Sequence, residues 1–174
     1  MLSRMAAFRR PPLAALVYGL LLAGMAAGQL ASLDEFGEAL ASYDLLGPLV
    51  PAAKFSHPAL EALVALGLLL SSRLPSVAAK AAGLAGVLVA LLWATLAVQA
   101  FARGLAVENC GCFGAYLAQG LRWWVLLEDA YMLLLALLAA SSLGVGLALR
   151  KRFVLSLGVT AARACQAGHD QGSE

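Results

Sequence analysis

Charged residues in this chain gather in clusters, and between the clusters run four stretches of Ala, Leu, Val and Gly. From Leu13 to Leu33 no residue is charged, and Arg9, Arg10, Pro11 and Pro12 stand just before. Proline is tolerated in the first helical positions, where its missing N–H costs nothing, so the Pro pair marks a helix entry. A membrane-crossing helix needs about 20 apolar residues, and this run supplies them. The competing reading is a secretory signal peptide cut near Ala26, Ala27 and Gly28. Signal cores are shorter, about 7–15 residues, which favours a retained span. With the first span at 12–33, the pattern predicts others over 58–74, 81–102 and 123–149. Arg73 with Pro75, Lys80 with Arg103, and Arg150–Arg152 supply their boundaries.

The stretch between the first two spans behaves differently. Residues 34–58 carry Asp34, Glu35, Glu38, Asp44, Lys54, His57 and three prolines, too polar for hydrocarbon and too apolar for disorder. Phe36, Leu40 and Tyr43 fall at i, i+4, i+7, one face of a helix. An amphipathic segment on the membrane surface fits that pattern. In the third span, Ala79, Ala82, Gly83 and Gly86 recur as small residues do where membrane helices approach closely.

Composition sharpens this reading. Of the 174 residues, 62% are hydrophobic and 13% charged, and mean hydropathy is +0.85. Soluble domains carry about 25% charge, so a water-soluble core is excluded. No basic stripe interleaved with aromatics suggests nucleic-acid binding. The predicted fold is all-α: one four-helix membrane domain over 1–152, then a cytoplasmic tail, 153–174.

Orientation follows from the cations. One side collects Arg4, Arg9, Arg10, Arg73, Lys80, Arg150, Lys151, Arg152 and Arg163, nine of the twelve Lys and Arg residues. Lys54, Arg103 and Arg122 fall on the other. The positive-inside rule places the nine, and both termini, in the cytoplasm. Loops 34–57 and 103–122 then face outward; in a bacterium this is the periplasmic or extracellular side of the cell membrane, where disulfides persist.

The outer loop 103–122 contains "ENCGCFGAYL". Cys165 follows the Arg150–Arg152 anchor on the other side, which leaves Cys110 and Cys112 as the available pair. Gly111 and Gly114 permit the tight backbone an i, i+2 bridge needs. So small a ring adds little stability, and labile disulfides tend to be catalytic or regulatory. The pair therefore points to thiol–disulfide exchange, with one sulfur forming a mixed disulfide that the other resolves. Glu108 would raise the thiol pKa, and Arg103 or Arg122 would lower it. Two thiolates with His57 would instead suit a soft metal ion, which keeps metal binding or transport as an alternative. A third reading is a non-catalytic assembly partner whose loop docks a client. Among carboxylates, Glu61 is expected in the first turn of its helix, where it suits the helix dipole or a proton relay. Glu128 and Asp129 open the fourth span behind the interfacial Trp123 and Trp124, with Arg122 near enough in sequence to pair.

On these residues the chain resembles the methylamine utilisation protein MauE and its relatives, often grouped with the DoxX-like family. "CGCFG" at 110–114, with Phe113, carries the resemblance. Trp124 and Asp129 in "RWWVLLEDAYMLLL", Glu61 in "HPALEALVAL", and Phe36, Tyr43, Leu46 and Pro48 in "FGEALASYDLLGPLVP" support it. Gly47 separates Leu46 from Pro48 where the family's Leu and Pro adjoin. The similarity covers about residues 10–150. It implies an inner-membrane protein needed to make methylamine dehydrogenase, through maturation, export or disulfide formation of that enzyme's cysteine-rich small subunit. A periplasmic thioredoxin-like protein is an alternative partner. Quinone between the helices enters as a cofactor only by analogy with other four-helix disulfide generators.

Overall fold

The computed structural model describes residues 11–145. Arg4, Arg9, Arg10, Arg150, Lys151, Arg152, Arg163, Cys165 and the 153–174 tail lie outside the described residues. Among the described residues the chain forms only helices and loops. The helices are α1 (Leu13–Ala31), α2 (Leu33–Ser42), α3 (Val50–Leu69), α4 (Ser76–Ala102) and α5 (Trp123–Ser142), and a 3-10 turn at Gly47–Leu49 leads into α3. All but α2 are long and apolar enough to cross a membrane. They close a four-helix bundle in which α1 packs on α3 and α5, and α4 packs on α5 and α3. Leu20, Leu63, Leu88 and Leu134 point outward. Such a surface is stable against acyl chains, which solvate Leu as well as a protein core does.

Small residues set how closely the helices meet. A β-carbon on Gly86 would stand 2.9 Å from Tyr18 Cε1, and one on Gly83 3.1 Å from Ala140 Cα. The close approach lets the Tyr18 hydroxyl donate to Gly86 O at 2.7 Å. Here a side chain in α1 finds an acceptor in α4 without water, which the bilayer core would not supply.

The second span differs from the sequence reading. Its helix begins at Val50, not near Pro58, and carries Pro58 inside it. Membrane helices tolerate an interior proline when neighbouring elements cover the freed backbone. Here Pro58 is buried, and α2 packs along α3. Glu61 is consequently well inside the helix, beyond the reach of an N-terminal dipole.

The amphipathic segment forms as α2. Phe36, Leu40 and Tyr43 are buried, while Asp34, Glu35 and Glu38 face outward. Lys54 of α3 reaches back to Asp34 at 2.8 Å, and its ammonium holds that carboxyl below the usual range. The connections 32–49 and 103–122 meet at one end of the bundle. Arg103 clamps them together by donating to Asp44 Oδ2 at 2.7 Å and to Asp44 O at 3.2 Å.

Candidate functional site

The 103–122 loop is held from within and from below. Leu121 N–H donates to Val107 O at 2.8 Å, and Cys110 N–H to Gln119 O at 2.9 Å, so the two arms run side by side. Asn109 braces the turn between them. Its Oδ1 accepts from Gly111 N–H at 3.0 Å, and its Nδ2 donates to Gly114 O at 3.1 Å. Gly111 and Gly114 have φ of 80° and 62°, left-handed values that glycine adopts without the Cβ penalty. The sequence reading anticipated both.

The turn sits directly on α1. A β-carbon on Gly28 would collide with the Phe113 backbone, and one on Gly114 with Ser32 Oγ and Gly28 O. Ser32 Oγ donates to Gly28 O at 2.9 Å and accepts from Ala115 N–H at 2.9 Å. The carbonyls of both cysteines are fixed by side chains from elsewhere: Tyr43 Oη donates to Cys110 O at 2.9 Å, and Gln29 Nε2 to Cys112 O at 3.0 Å. Burial, then the charges of Cys112, Cys110 and Asp129, push the Tyr43 hydroxyl far up, so it remains a donor.

The two sulfurs stand 3.3 Å apart, within hydrogen-bond distance for thiols. Their environments differ. When Cys110 ionises, the Cys112 S–H can donate to it, which lowers the Cys110 pKa against its burial. Cys112 moves the other way, raised well above the ordinary thiol range by that hydrogen bond, then by burial and by the charges of Cys110, Asp129 and Glu61. Among side-chain charges outside the pair, Asp129 and Glu61 therefore act on the thiols, while Arg103 is engaged with Asp44. Cys110 is 1% exposed. Cys112 is half-buried and lines a cavity of about 310 Å³ between α1, α4 and α5. Asp129, Glu128, Gln119 and Phe113 line the same cavity.

A second polar cluster lies inside the bundle. Glu61 is fully buried, and its Oε1 accepts from the Trp93 indole N–H at 2.7 Å. His57 Nε2 lies 3.1 Å from the same oxygen, at ion-pair distance but without hydrogen-bond alignment. Phe36 stacks on the His57 ring at 6.2 Å, and Trp93 meets it edge-on at 5.1 Å. Among the described residues no three His, Cys, Asp or Glu side chains gather closely enough to hold a metal ion.

Of the residues read from sequence, Cys110, Gly111, Cys112, Phe113, Gly114 and Tyr43 form one unit, and Asp129 borders it across the cavity. Trp124 stays at the surface, edge-on to Trp123 at 5.9 Å with Arg122 above its ring at 5.4 Å. Glu128 instead accepts from the Gln119 amide. Gly28, Gln29, Ser32, Trp93 and Gln119 were missed. For Gln29 and Ser32 the available signal was a polar residue inside an apolar span, which is costly to bury.

The family model described as "Methylamine utilisation protein MauE" matches residues 7–142. No curated protein and no solved structure matches the chain.

Proposed function

The chain belongs to the MauE family, and from that membership and the paired sulfurs we propose that it is a membrane thiol–disulfide protein serving the maturation of exported proteins. The observation that carries this reading is the 3.3 Å separation of Cys110 and Cys112 in a hydrogen-bonded glycine turn. A disulfide requires about 2.05 Å between sulfurs, so closing the bond means bringing the two together by little more than 1 Å. The unequal environments also suit exchange, since a thiolate is the attacking species and a low-pKa thiol leaves readily.

In the forward direction, a client thiolate attacks the Cys110–Cys112 bond and forms a mixed disulfide. The client's second thiolate then resolves it. The client gains one S–S bond, and Cys110 and Cys112 take its two electrons and two protons. With Cys110 at 1% exposure, a protein client reaches the sulfurs when the loop lifts from α1 and α2. The nine cations assigned to one side support a cell-membrane protein with this loop on the periplasmic or extracellular face. The family's description supports a role in methylamine utilisation; the client proposed on the family resemblance is the cysteine-rich small subunit of methylamine dehydrogenase, with a thioredoxin-like carrier as the general alternative.

The test is trapping. Cys110→Ser and Cys112→Ser each leave one thiolate, which, given the oxidised client, should attack its S–S bond, release one client thiol and hold a mixed disulfide that reductant cleaves. The double variant should hold none and, in the producing cell, leave the newly exported client's thiols free. A client fully oxidised in the double variant would overturn the proposal.

A further inference from the structure

We infer that the cavity beside Cys112 is the binding site of a lipid-soluble quinone that re-oxidises the thiol pair. This deepens the exchange reading and rests on it. A pair that has oxidised a client holds two electrons and two protons, which must leave before the next cycle. Cys110 is shut in by the loop, whereas Cys112 lines the cavity. A reactant entering there meets sulfur directly.

The walls describe that reactant. Leu22 and Met25 of α1, Val89 of α4, and Val125 and Met132 of α5 make them apolar. Gln119, Glu128 and Asp129 line the cavity together with Cys112; Gln119 is hydrogen-bonded to Glu128, and the Asp129 charge acts on Cys112. Exposed Leu117 and Tyr131 also line it and form a rim open to the surface. At about 310 Å³, the space lies at the lower end of ligand cavities, which run about 300–1,000 Å³. A flat apolar ring with oxygens at its ends fits it, where a peptide disulfide would leave polar backbone unsatisfied against hydrocarbon walls.

The chemistry closes. The two S–H bonds break and the Cys110–Cys112 bond forms. The two electrons enter the quinone ring, and the two protons end on its oxygens as hydroquinone. Asp129 is the carboxylate placed to carry a proton between thiol and ring oxygen, and the Gln119 side chain can hydrogen-bond that oxygen. A merely structural Asp129 would not couple to the quinone.

The experiment uses the purified full chain, reduced, freed of reductant and kept anaerobic. Ubiquinone-1 is added, hydroquinone is followed by absorbance, and the thiols are counted by maleimide mass shift. One hydroquinone should form for each pair lost. Asp129→Asn should slow the reaction by about a hundredfold, the usual scale for losing a proton-transfer group, and flatten its pH profile. Ala90→Trp, whose ring would occupy the cavity, should abolish it with wild-type helical circular dichroism. Equal rates in both variants and wild type would overturn the site. Diamide, a soluble thiol oxidant, separates the two readings. Should diamide bond the pair while ubiquinone-1 does not, the quinone site falls and the exchange reading stands. Should diamide form no Cys110–Cys112 bond, the exchange reading falls. Ubiquinone-1 quenching of tryptophan fluorescence in the Cys110→Ser/Cys112→Ser variant then judges the cavity alone: quenching upholds a quinone site, and none removes it.

Discussion

Cys110 and Cys112 share one hydrogen bond, and the sharing makes them unlike. Cys110 is the thiol whose ionised form has a donor, so its pKa is lowered; Cys112 supplies that donor and is raised. As pH rises, Cys110 should become reactive first and Cys112 last. Cys112→Ala removes the donor while leaving Cys110 in the apolar loop. The midpoint of Cys110 alkylation against pH should then move upward, past that of an ordinary exposed thiol at about 8.5. An unmoved midpoint would mean the sulfurs do not interact. The Glu61 cluster poses a second question at this scale. Trp93 donates to Glu61 Oε1, while Glu61 Oε2 has no hydrogen-bond partner among the described residues. Trp93→Phe should therefore cost about 1–3 kcal/mol in unfolding from detergent, the usual penalty for stranding a buried acceptor. In a Glu61→Leu background the same change should cost much less. Equal costs in the two backgrounds would show that the hydrogen bond contributes nothing.

Helices and loops meet through glycines, and two of these one turn apart make a controlled comparison. A β-carbon on Gly28 would strike the Phe113 backbone, whereas one on Gly24 would rest 3.7 Å from Phe113 Cε1, an ordinary contact. Gly28→Ala should lift the cysteine loop at a cost of about 1–3 kcal/mol, the scale of overpacking. Water-soluble maleimide should then label reduced Cys110 and Cys112 faster, with helix content unchanged. Gly24→Ala should leave labelling as it was; indistinguishable variants would mean the loop does not seat on α1. The same elements show what the chain made legible. The buried face of α2 could be read because Phe36, Leu40 and Tyr43 repeat at helical spacing, a local signal. The start of α3 could not, because Lys54, His57 and Pro58 resemble a boundary until α2 covers them. What Gln29 and Ser32 bind was unreadable for another reason. Their partners, Cys112 and Ala115, lie 83 residues away in sequence. No periodicity in one span reports a contact with a loop three helices later.

At the scale of the whole molecule, an asymmetry between the two ends bears on where the proposed chemistry would occur. The bundle gathers the α2 connection and the cysteine loop at one end, tied by Tyr43 to Cys110 O and by Arg103 to Asp44. Across the alternating spans, the turn between α3 and α4 lies at the opposite end. Nine of the twelve cations belong to that opposite side by the sequence reading. Cations in short loops resist translocation, so that reading expects the end bearing them in the cytoplasm. Single cysteines placed in a background with Cys110, Cys112 and Cys165 replaced by Ser should report this directly. Glu108 and Ser76 are both exposed and sit at opposite ends, so either can be replaced without disturbing the core. In intact cells, with the outer membrane permeabilised where one exists, a maleimide that cannot cross the cell membrane should label Glu108→Cys and spare Ser76→Cys. Disrupting the cells should make both reactive. The reverse pattern would put the sulfurs in the reducing compartment, where an exported client could never meet them.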